Sequence, residues 1–431
     1  MVTQLETKIL NKKARLAVVG LGYVGLPLAV HFAKAGFRVL GLDTDQDRVS
    51  RIKQGSSYIV DIPSSDIAKI LRSGRLQAST DFSLLKSVDV VIICVPTPLK
   101  RKYTPDISFM LRAIRSIRRY IPKGALVILE STTYPGTTEE LIKPELEKDK
   151  KREGKDFFLA FSPERIDPGS KKFPLNKIPK LVGGISPQSG QLAALLYRKI
   201  VPQVHLLSSA KAAEMTKLLE NSFRIINIGW INEMAMICHH MGIDVWEVIE
   251  AAKTKPFGFM PFYPGLGVGG HCIPDDPLYL HWKAKRYGYN PRFIKLAADI
   301  NAGMPHYAAQ RLIRYLKHKP LPKVKILIVG VTYKKDVKDL RKSPPLKFIE
   351  ALRKYRCQVD YTDPYIPYLE WEDIHSASVK LDKKSIGAYD CVVIATDHSN
   401  INYKLILDNA KFIFDIRNVY AGASSKKVVR F

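Results

Sequence analysis

The sequence predicts an α/β protein with two Rossmann-like domains, each a doubly wound parallel sheet, joined by a central helical region. Three observations lead to this prediction. Apolar strand patterns alternate with helical patterns from about residue 14, a long helical run begins near residue 206, and the alternation resumes at KVKILIVG. Strands that alternate with helices indicate a parallel sheet covered on both faces. With 431 residues, the chain is long enough for two or three such domains.

The first domain is predicted to start with a strand, a glycine turn, a helix and a second strand. The strands are expected at RLAVVG and FRVLGLD, and the helix between them at LPLAVHFAKAG. Three further strands of this sheet are expected at VDVVIICVP, ALVILES and FFLAFSP.

The middle of the chain is predicted to be helical. Residues 211–242 read as one long helix, and IDVWEVIEAAK continues the helical run. After a Pro/Gly-rich loop, helices are expected from about Asp276 and from about Arg292. The second α/β domain then has predicted strands at KVKILIVG, CQVDYTDP, YDCVVIATD and KFIFDIR, so that the two domains read as a distant structural repeat.

Composition narrows the class of protein. The opening stretch has no apolar segment typical of a secretory signal, and the longest apolar runs have the length of strands, so we expect a soluble cytoplasmic protein. The formal net charge of +27 is spread along the chain without a nucleic-acid-binding motif. We therefore expect small anionic substrates, no nucleic acid and no membrane partner.

The stretch GLGYVG places Gly20, Gly22 and Gly25 directly after a predicted strand and at the start of a helix. This spacing is typical of a dinucleotide site, where the glycines allow a tight turn, close approach of a pyrophosphate, and helix packing. Asp43 ends the second strand 18 residues beyond Gly25, near the usual position of a ribose-binding carboxylate. A carboxylate there favours NAD over NADP, although Arg48 nearby leaves NADP open, and Asp43 could also be a plain turn residue.

The corresponding turn of the second domain, ILIVGVTYKKD, has a single glycine and does not predict a second dinucleotide site. Its basic residues Lys334, Lys335 and Arg341 suit another phosphate-bearing ligand, or else form an exposed charge run.

Five cysteines are present, and their spacing suggests neither a disulfide framework nor a metal site. Cys94, Cys238, Cys357 and Cys391 lie in apolar strand or helix patterns and read as core residues. Cys272 is different, because it stands in the loop GVGGHCIPDDPLYL behind two glycines. A thiol needs a lowered pKa to act as a nucleophile, and nearby cations can lower it.

His271 and Lys217 are the candidate cations for this thiol. Lys217, Asn221 and Arg224 follow an i, i+4, i+7 spacing and therefore share one face of the predicted long helix. A lysine and an asparagine side by side could stabilise an oxyanion, and the alternative is an ordinary exposed polar stripe.

Three further polar residues are candidates on weaker grounds. Asp276 is expected in the first turn of the helix after Cys272, as a general base or as a carboxylate favoured by the helix dipole. Glu164 and Thr132 follow the ends of two predicted strands, where α/β sheets place functional groups.

A nicotinamide site together with a nucleophilic thiol suggests a four-electron oxidation of an alcohol. The alcohol is first oxidised to an aldehyde, to which the thiol adds. The resulting thiohemiacetal then loses a second hydride, and water cleaves the thioester to an acid.

The chain resembles the nucleotide-sugar 6-dehydrogenases of the UDP-glucose/GDP-mannose dehydrogenase family from about residue 14 to 420. The stretches that carry the resemblance are GLGYVGLPLA, CVPTP, ESTTYPGTTEE, FSPERIDPG, KAAEMTKLLEN, GVGGHCIPDDPLYL and YKKDVKDLR. KPFGFMPFYPG and SPERIDPG look most like the bacterial UDP-N-acetylglucosamine 6-dehydrogenases. The resemblance implies an NAD-binding domain at 1–205, a central dimerisation and catalytic region at 206–305, and a UDP-sugar-binding domain at 306–431.

The resemblance also implies roles for individual residues. Cys272 would be the nucleophile, with Lys217 and Asn221 as oxyanion donors. Asp276 would position or activate water, and Glu164 would assist proton transfer with Thr132 near it. The implied NAD-site residues are Gly20, Gly22, Tyr23, Val24, Gly25, Asp43, Arg48, Thr97, Thr132 and Arg341. The implied substrate-binding residues are Glu164, Arg165, Lys217, Asn221, Arg224, Phe262, Tyr263, Gly269, Arg292, Lys334 and Arg417.

The resemblance further implies a homodimer or larger homo-oligomer built around the central helices, in which Arg292 would reach the partner's site. The expected reaction is oxidation of UDP-N-acetylglucosamine to UDP-N-acetylglucosaminuronate for a surface polysaccharide. The region KPFGF lacks the arginine of the UDP-glucose branch, and Asp275 stands where relatives often have an aliphatic residue. The alternatives are UDP-glucose or UDP-N-acetylmannosamine as substrate, a two-electron hydroxyacid-type dehydrogenase, and a non-catalytic nucleotide or nucleic-acid binder.

Overall fold

The structure is a computed structural model that describes residues 2–59, 62–100, 104–166, 177–423 and 425–431, with the backbone alone for residues 2 and 3. The chain divides into two compact units. The first runs from the amino terminus to Glu220 and includes Trp282–Tyr287, and the second comprises Asn221–His281 and Gly288–Phe431. The end of the FSPERIDPG stretch, residues 167–169, lies outside the described residues.

The first unit is built on an eight-stranded sheet among its described residues. Its strands are β1 Arg15–Val19, β2 Arg38–Leu42, β3 Leu76–Ser79, β4 Val90–Ile93, β5 Ala125–Leu129, β6 Phe157–Phe161, β7 Lys180–Gly184 and β8 Val204–Leu207. Their order is β3-β2-β1-β4-β5-β6-β7-β8, and β6 and β7 pair antiparallel while the other neighbours pair parallel. Strands β3, β7 and β8 were missing from the sequence prediction, because each is short and β3 and β8 are not continuously apolar.

Helices cover both faces of this sheet. They are α1 Val2–Leu10, α2 Gly25–Ala35, α3 Gln46–Lys53, α4 Ser64–Arg72, α5 Ser108–Tyr120, α6 Lys143–Glu147 and α7 Pro187–Tyr197. Leu16 and Val18 of β1 belong to one buried cluster, and Ala17 and Val19 to another. Since successive strand residues point to opposite faces, both faces of the sheet are buried, as the predicted doubly wound fold requires.

The predicted long helix is α8, Ala210–Met241, which begins in the first unit and continues into the second. It is followed by α9 Val245–Lys253, α10 Cys272–Arg286 and α11 Arg292–Tyr315. The expectation that α10 begins near Asp276 is wrong, because the helix already begins at Cys272. Pro274 obscured this start in the sequence, yet a proline is tolerated in a first helical turn, where backbone N–H groups have no partner within the helix.

The second unit contains a five-stranded parallel sheet in its described part. The remaining elements are β9 Lys325–Val329, α12 Pro344–Lys354, β10 Gln358–Thr362, β11 Tyr368–Trp371, β12 Ile374–Ala377, α13 Lys383–Ala388, β13 Cys391–Ile394, α14 Tyr403–Asn409, β14 Ile413–Asp415 and β15 Val428–Arg430. The order in the sheet is β10-β9-β13-β14-β15, and β11 and β12 form a separate antiparallel pair. Among the described residues, no helix has both the length and the apolar character needed to span a bilayer.

Candidate active site

In the glycine turn after β1, a side chain would clash at Gly20 and Gly25 but would fit at Gly22. Gly20 has φ +92°, and a Cβ there would lie 2.5 Å from the carbonyl oxygen of Cys94. A Cβ at Gly25 would lie 1.8 Å from the carbonyl oxygen of Gly20, whereas a Cβ at Gly22 would meet nothing within 4 Å. The turn is therefore tight, and it leaves the space at Gly22 that a pyrophosphate needs at the N-terminus of α2. Tyr23, half exposed, and Val24, the N-cap residue of α2, complete the turn.

Asp43, at the end of β2, is buried and fixed beside this turn. Its carboxylate accepts hydrogen bonds from the backbone N–H groups of Leu21 (2.7 Å) and Asp45 (3.0 Å). Arg48 lies 3.4 Å from Asp43 and 3.3 Å from Asp45, so its charge is shared with two carboxylates. The glycine turn and Asp43 thus fit the phosphates and a ribose of a dinucleotide.

The ends of the next two strands are tied together. The Thr97 hydroxyl, after β4, donates a hydrogen bond of 2.7 Å to the carbonyl of Thr132, after β5. The neighbouring Ser131 hydroxyl donates to the carbonyl of Val95, also at 2.7 Å. The structure therefore brings the predicted residues Thr97 and Thr132 together at the carboxyl edge of the sheet.

Glu164, after β6, belongs to a buried charge cluster that sequence reasoning missed. The ammonium of Lys180, the first residue of β7, lies 2.8 Å from the Glu130 carboxylate and 3.2 Å from that of Glu164. The hydroxyl of Tyr197 donates to Glu130. Glu164 also accepts hydrogen bonds from the backbone N–H groups of Arg165 (2.6 Å) and Ile166 (2.7 Å). Its carboxylate is thus held in one orientation.

The cluster drives the pKa values of its two carboxyl groups apart. Burial raises the pKa of Glu130 to about 6, against the opposing effect of the Lys180 ammonium. Burial also acts to raise the pKa of Glu164, but the ammonium and the two backbone N–H groups outweigh it and hold this pKa below its usual value. For Lys180, burial lowers the pKa, and the two carboxylates more than offset it. Glu164 is therefore ionised at neutral pH, as a proton acceptor must be.

Arg165 is engaged inside the first unit. Its guanidinium donates to Glu220 at 2.6 Å and to the carbonyl of Pro179 at 2.7 Å. These partners anchor the side chain of Arg165, which directly follows Glu164 in the sequence.

The polar stripe of α8 is only partly exposed, so the interpretation of an ordinary solvated helix face is wrong for two of its three members. Lys217 and Asn221 are buried, and Arg224 is exposed. In the second unit, the Asn221 amide donates a hydrogen bond of 2.6 Å to the carboxylate of Asp276. Two residues predicted to be catalytic are thereby in direct contact.

Cys272 is an exposed side chain at the first residue of α10, rather than in the middle of a loop. Asp276 lies in the second turn of this helix and is 1% exposed. The alternative that Asp276 is a carboxylate placed by the helix dipole loses its basis, because that effect falls off within the first turn. The dipole acts instead on the thiol, and a helix N-terminus favours the thiolate.

The other cysteines are core residues, as the sequence predicted. Cys238, Cys357 and Cys391 are buried, and Cys94 packs against the core of the first unit. Burial raises the pKa of Cys94, Cys357 and Cys391, so these groups stay protonated thiols.

Gly269 and the aromatic residues before it are packed within the second unit. A Cβ at Gly269 would lie 2.5 Å from the Cβ of Tyr333, so a larger residue does not fit. Phe262 packs edge-on against Phe223, with ring centroids 5.8 Å apart. Tyr263 stacks on Trp246 at 5.9 Å and donates to Glu250 at 2.9 Å.

The predicted basic residues also lie in the second unit. Arg341 pairs with Asp339 at 2.6 Å, and Arg417 pairs with Asp397 at 3.0 Å. Arg292 is exposed at the start of α11, and Lys334 is half-buried in the turn after β9. Arg341, predicted for the NAD site, is thus not part of the unit that carries the glycine turn.

The second sheet repeats the strand-end aspartate of the first but gives it another partner. Asp363, at the end of β10, accepts from the backbone N–H of Val331 at 2.8 Å, as Asp43 does from Leu21. The Nε2 of the buried His398 lies 3.1 Å from Asp363, while its Nδ1 accepts from the backbone N–H of Asp336. His398 therefore lies against the strand-end carboxylate of the second unit, where Arg48 lies against that of the first.

Three models of one family match this chain in order. The NAD binding domain of the UDP-glucose/GDP-mannose dehydrogenase family matches residues 14–201, its central domain residues 211–303 and its UDP binding domain residues 327–422. The chain belongs to this family. It is an NAD-dependent oxidoreductase, and NAD is the dinucleotide that the glycine turn and Asp43 fit.

Individual members of the family are similar over nearly their whole length. The UDP-N-acetyl-D-glucosamine 6-dehydrogenase of Pseudomonas aeruginosa is 40% identical over 90% of this chain and 91% of its own. The UDP-N-acetyl-D-mannosamine dehydrogenase of Pyrococcus horikoshii is 39% identical over 94% of this chain and 96% of its own. The solved structure of a UDP-D-ManNAc dehydrogenase from Pyrococcus horikoshii has a TM-score of 0.87 and covers 96% of this chain and 98% of that one, at 37% identity.

The sequence analysis did not predict which residues hold Glu164 and Asp275 in place. Glu164 is oriented by Lys180, which is itself paired with Glu130, and Glu130 accepts a hydrogen bond from Tyr197. Asp275 pairs with Lys342. A signal was present for the first group, since Glu130 and Lys180 interrupt otherwise apolar strand patterns, ALVILES and IPKLVGG. Charged residues in such positions are buried and require partners.

Proposed function

We propose that this protein oxidises carbon six of UDP-N-acetylglucosamine from alcohol to carboxylate, with reduction of two NAD. The observation that carries the proposal is the exposed Cys272 thiol at the N-terminus of α10, followed in the same helix by Asp276, which is hydrogen-bonded to Asn221. A thiol so placed suits covalent capture of an aldehyde, which a two-electron dehydrogenase does not need.

The first oxidation converts the primary alcohol to an aldehyde. NAD, when bound, accepts a hydride from carbon six in each of the two oxidations. Lys217 and Asn221 stabilise the developing oxyanion as hydrogen-bond donors, and Glu164 receives the hydroxyl proton through water, with Thr132 near it.

The second oxidation proceeds on the enzyme. The Cys272 thiolate would add to the aldehyde carbon, and removal of the second hydride, the chemistry that NAD supplies when bound, would convert the thiohemiacetal to a thioester. Asp276 positions water to attack this thioester, so that the acid leaves and the thiol is regenerated. In total, one alcohol, two NAD and one water give one carboxylate, two NADH and three protons.

The remaining residues are proposed to bind the two ligands. Gly20, Gly22, Tyr23, Val24, Gly25, Asp43, Arg48, Thr97 and Arg341 are assigned to NAD. Arg165, Arg224, Phe262, Tyr263, Gly269, Arg292, Lys334 and Arg417 are assigned to the UDP-sugar. Residues 1–205, 206–305 and 306–431 are the corresponding NAD, central and UDP-sugar domains. We assign the reaction to the cytoplasm, where the thiol stays reduced, and the product to a surface polysaccharide.

The choice of sugar is supported by the 40% identity to a UDP-N-acetyl-D-glucosamine 6-dehydrogenase. A UDP-N-acetylmannosamine activity is the second candidate, favoured by the 39% identity to a dehydrogenase of that sugar. Initial rates on UDP-N-acetylglucosamine, UDP-N-acetylmannosamine and UDP-glucose separate the three. A clear preference for UDP-glucose contradicts both candidates.

The mechanism is tested by counting NADH per sugar and identifying the product by mass. The wild type should give two NADH per carboxylate. Cys272→Ser should form no acid, because a serine hydroxyl is a far weaker nucleophile than a thiolate, whereas the buried-cysteine variant Cys357→Ser should retain the full yield. One NADH per sugar in the wild type, or acid formation by Cys272→Ser, contradicts the mechanism.

A further inference from the structure

Asp275 is a buried carboxylate in the first turn of α10, three residues after the Cys272 thiol. Its side chain is 3% exposed, and it forms an ion pair with the ammonium of Lys342, whose side chain is 51% exposed. A buried carboxylate requires a partner, and here the partner comes from the turn between β9 and α12. Neither the proposed chemistry nor the fold of α10 by itself requires an acid at this position.

The same turn also contacts the glycines that precede the thiol. The backbone N–H of Gly270 donates to the carbonyl of Arg341 at 2.8 Å. A Cβ at Gly269 would lie 2.8 Å from the carbonyl oxygen of Lys342, and one at Gly270 would lie 3.0 Å from the ring of Tyr333. The backbone of residues 341–342 is therefore packed directly against the segment that leads into Cys272.

Lys342 itself is held in an unusual conformation. Its φ of +48° lies in the left-handed region, which is unfavourable for a non-glycine residue. The following residue, Ser343, fixes the turn, because its backbone N–H donates to the carbonyl of Leu340 and its hydroxyl to that of Val331. These hydrogen bonds fix the backbone from which the Lys342 side chain reaches Asp275.

The charge of Asp275 matters for the thiol. Residues i and i+3 are neighbours on a helix surface, so an unpaired carboxylate at 275 would disfavour the Cys272 thiolate. Other charged or titratable groups near this first turn include His271 and the groups that act on it, Arg341 and Asp339, and Asp276 follows in the second turn. Burial lowers the pKa of His271, so this imidazole is neutral near pH 7 and supplies no compensating charge.

We propose that the Asp275–Lys342 ion pair is a positioning device for the nucleophile: it fixes the first turn of α10 to the turn after β9 and cancels the carboxylate charge beside the Cys272 thiolate. This inference rests on the proposed function, in which Cys272 is the nucleophile. Lys342 and Asp275 act through the thiol and do not touch the substrate.

The test is the pH dependence of Cys272 alkylation by iodoacetamide in the full chain, followed by mass spectrometry of the peptide that contains it. Lys342→Met should move the thiol titration to higher pH and slow alkylation at pH 7 about three- to tenfold, since a nearby like charge disfavours the thiolate. The double variant Asp275→Asn, Lys342→Met should return close to the wild-type profile, and Lys342→Arg should match the wild type.

Lys338→Met is the matched control, because it removes one exposed lysine of the same turn without touching the ion pair. Thermal unfolding midpoints of all variants separate a titration effect from a folding defect. A wild-type titration in Lys342→Met, or a double variant that remains as slow as the single one, overturns the proposal.

Steady-state rates distinguish failure of this inference from failure of the proposed function. In Lys342→Met, kcat should fall at pH 7 and recover near pH 9, with KM for NAD unchanged. If Cys272→Ser still forms acid, the proposed function fails, whatever the alkylation profile. If Cys272→Ser is inactive and Lys342→Met alkylates normally, the inference alone fails.

Discussion

Lys180 is a charged residue whose side chain is buried. Its side chain is 4% exposed and lies within ion-pair distance of two carboxylates, and the ring of Tyr197 lies 5.1 Å below the ammonium. Desolvating these charges costs several kcal/mol, which their mutual attraction offsets only while all partners are present. The cluster therefore fixes Glu164 and makes the first unit sensitive to the loss of one charge.

Lys180→Met should destabilise the first unit by about 3–5 kcal/mol, because two buried carboxylates then lose their cation. The matched control is Lys34→Met, which breaks an exposed 2.6 Å ion pair with Asp66 and should cost less than about 1 kcal/mol. Urea unfolding followed by tryptophan fluorescence and circular dichroism measures both. Equal losses in the two variants would contradict the assignment of a buried network.

A second buried carboxyl group makes stability depend on pH. Glu214 of α8 accepts hydrogen bonds from the backbone N–H groups of Gly136 (2.5 Å) and Thr138 (2.8 Å) and from the Thr138 hydroxyl (2.7 Å). Burial raises the pKa of Glu214 to about 7, although these donors lower it. Because the folded-state pKa is above the unfolded value, the folded state binds the proton more tightly.

The stabilisation from protonated Glu214 should therefore be present below about pH 4.5 and be lost as the pH rises through about 7. As the pH rises from 5 to 8, deprotonation of this group should lower the free energy of unfolding by roughly 2–3 kcal/mol. Glu214→Gln should reduce this pH dependence in denaturant unfolding of the first unit. If Glu214→Gln keeps the full pH dependence of the unfolding free energy, that dependence comes from other groups, of which Glu130 is the next candidate.

At the scale of elements, the three glycines of the strand–turn–helix unit β1–α2 serve two purposes: packing of the helix on the sheet and proposed binding of the cofactor. Gly20 and Gly25 are required by contacts within the protein, whereas Gly22 faces open space. The two requirements are physically separate, because one concerns packing of a helix on a sheet and the other the approach of a ligand.

Substitutions in this turn should separate the two requirements. Gly25→Ala should destabilise the first unit and abolish NAD binding, since its Cβ would lie 1.8 Å from the carbonyl oxygen of Gly20. Gly22→Ala should change the unfolding free energy by less than about 0.5 kcal/mol, yet weaken NAD binding at least tenfold. Calorimetric titration with NAD and denaturant unfolding give the two quantities. Tight NAD binding by Gly22→Ala would place the pyrophosphate elsewhere.

At the scale of the whole molecule, α8 carries an apolar stripe that its own chain leaves exposed. The exposed residues of this stripe are Met215, Leu219, Phe223, Trp230, Ile237 and Met241. At 100° per residue they fall within an arc of about 80° on one side of the helix. On α11, Phe293 and Leu296 are also more than half exposed. Apolar patches of this kind mark interfaces, and we propose a second copy of this chain as the partner.

The wild type should therefore sediment as a dimer of 48.7 kDa chains or as a larger assembly. Leu219→Glu combined with Trp230→Glu should shift it to monomer, because two charges would be desolvated at the centre of the interface. Tyr368→Glu is the control, since Tyr368 is 57% exposed but lies on β11, away from the stripe. A monomeric wild type, or a charged double variant that remains assembled, contradicts the proposed interface.

Some features followed from short stretches of sequence alone. Each of these features is a local pattern and was predicted correctly. They are the glycine turn before α2, the strand that leads to Asp43, the helical run of α8 and the core positions of four cysteines. The fold class followed from the same patterns, because the alternation of apolar strands and helices leaves few ways to bury both faces of a sheet. The exposed thiol was also identified from its neighbours in the sequence.

Tertiary structure alone decided which distant groups meet. Lys180 pairs with Glu130, 50 positions earlier, only because β5, β6 and β7 are adjacent in the sheet. Asp275 meets Lys342, 67 positions later, because the glycines before Cys272 pack against the turn after β9. The start of α10 at Cys272 was hidden by Pro274, which a first helical turn tolerates. Local propensity determines the conformation of a segment, whereas partners far apart in sequence are chosen by the packing of those segments, which no short stretch contains.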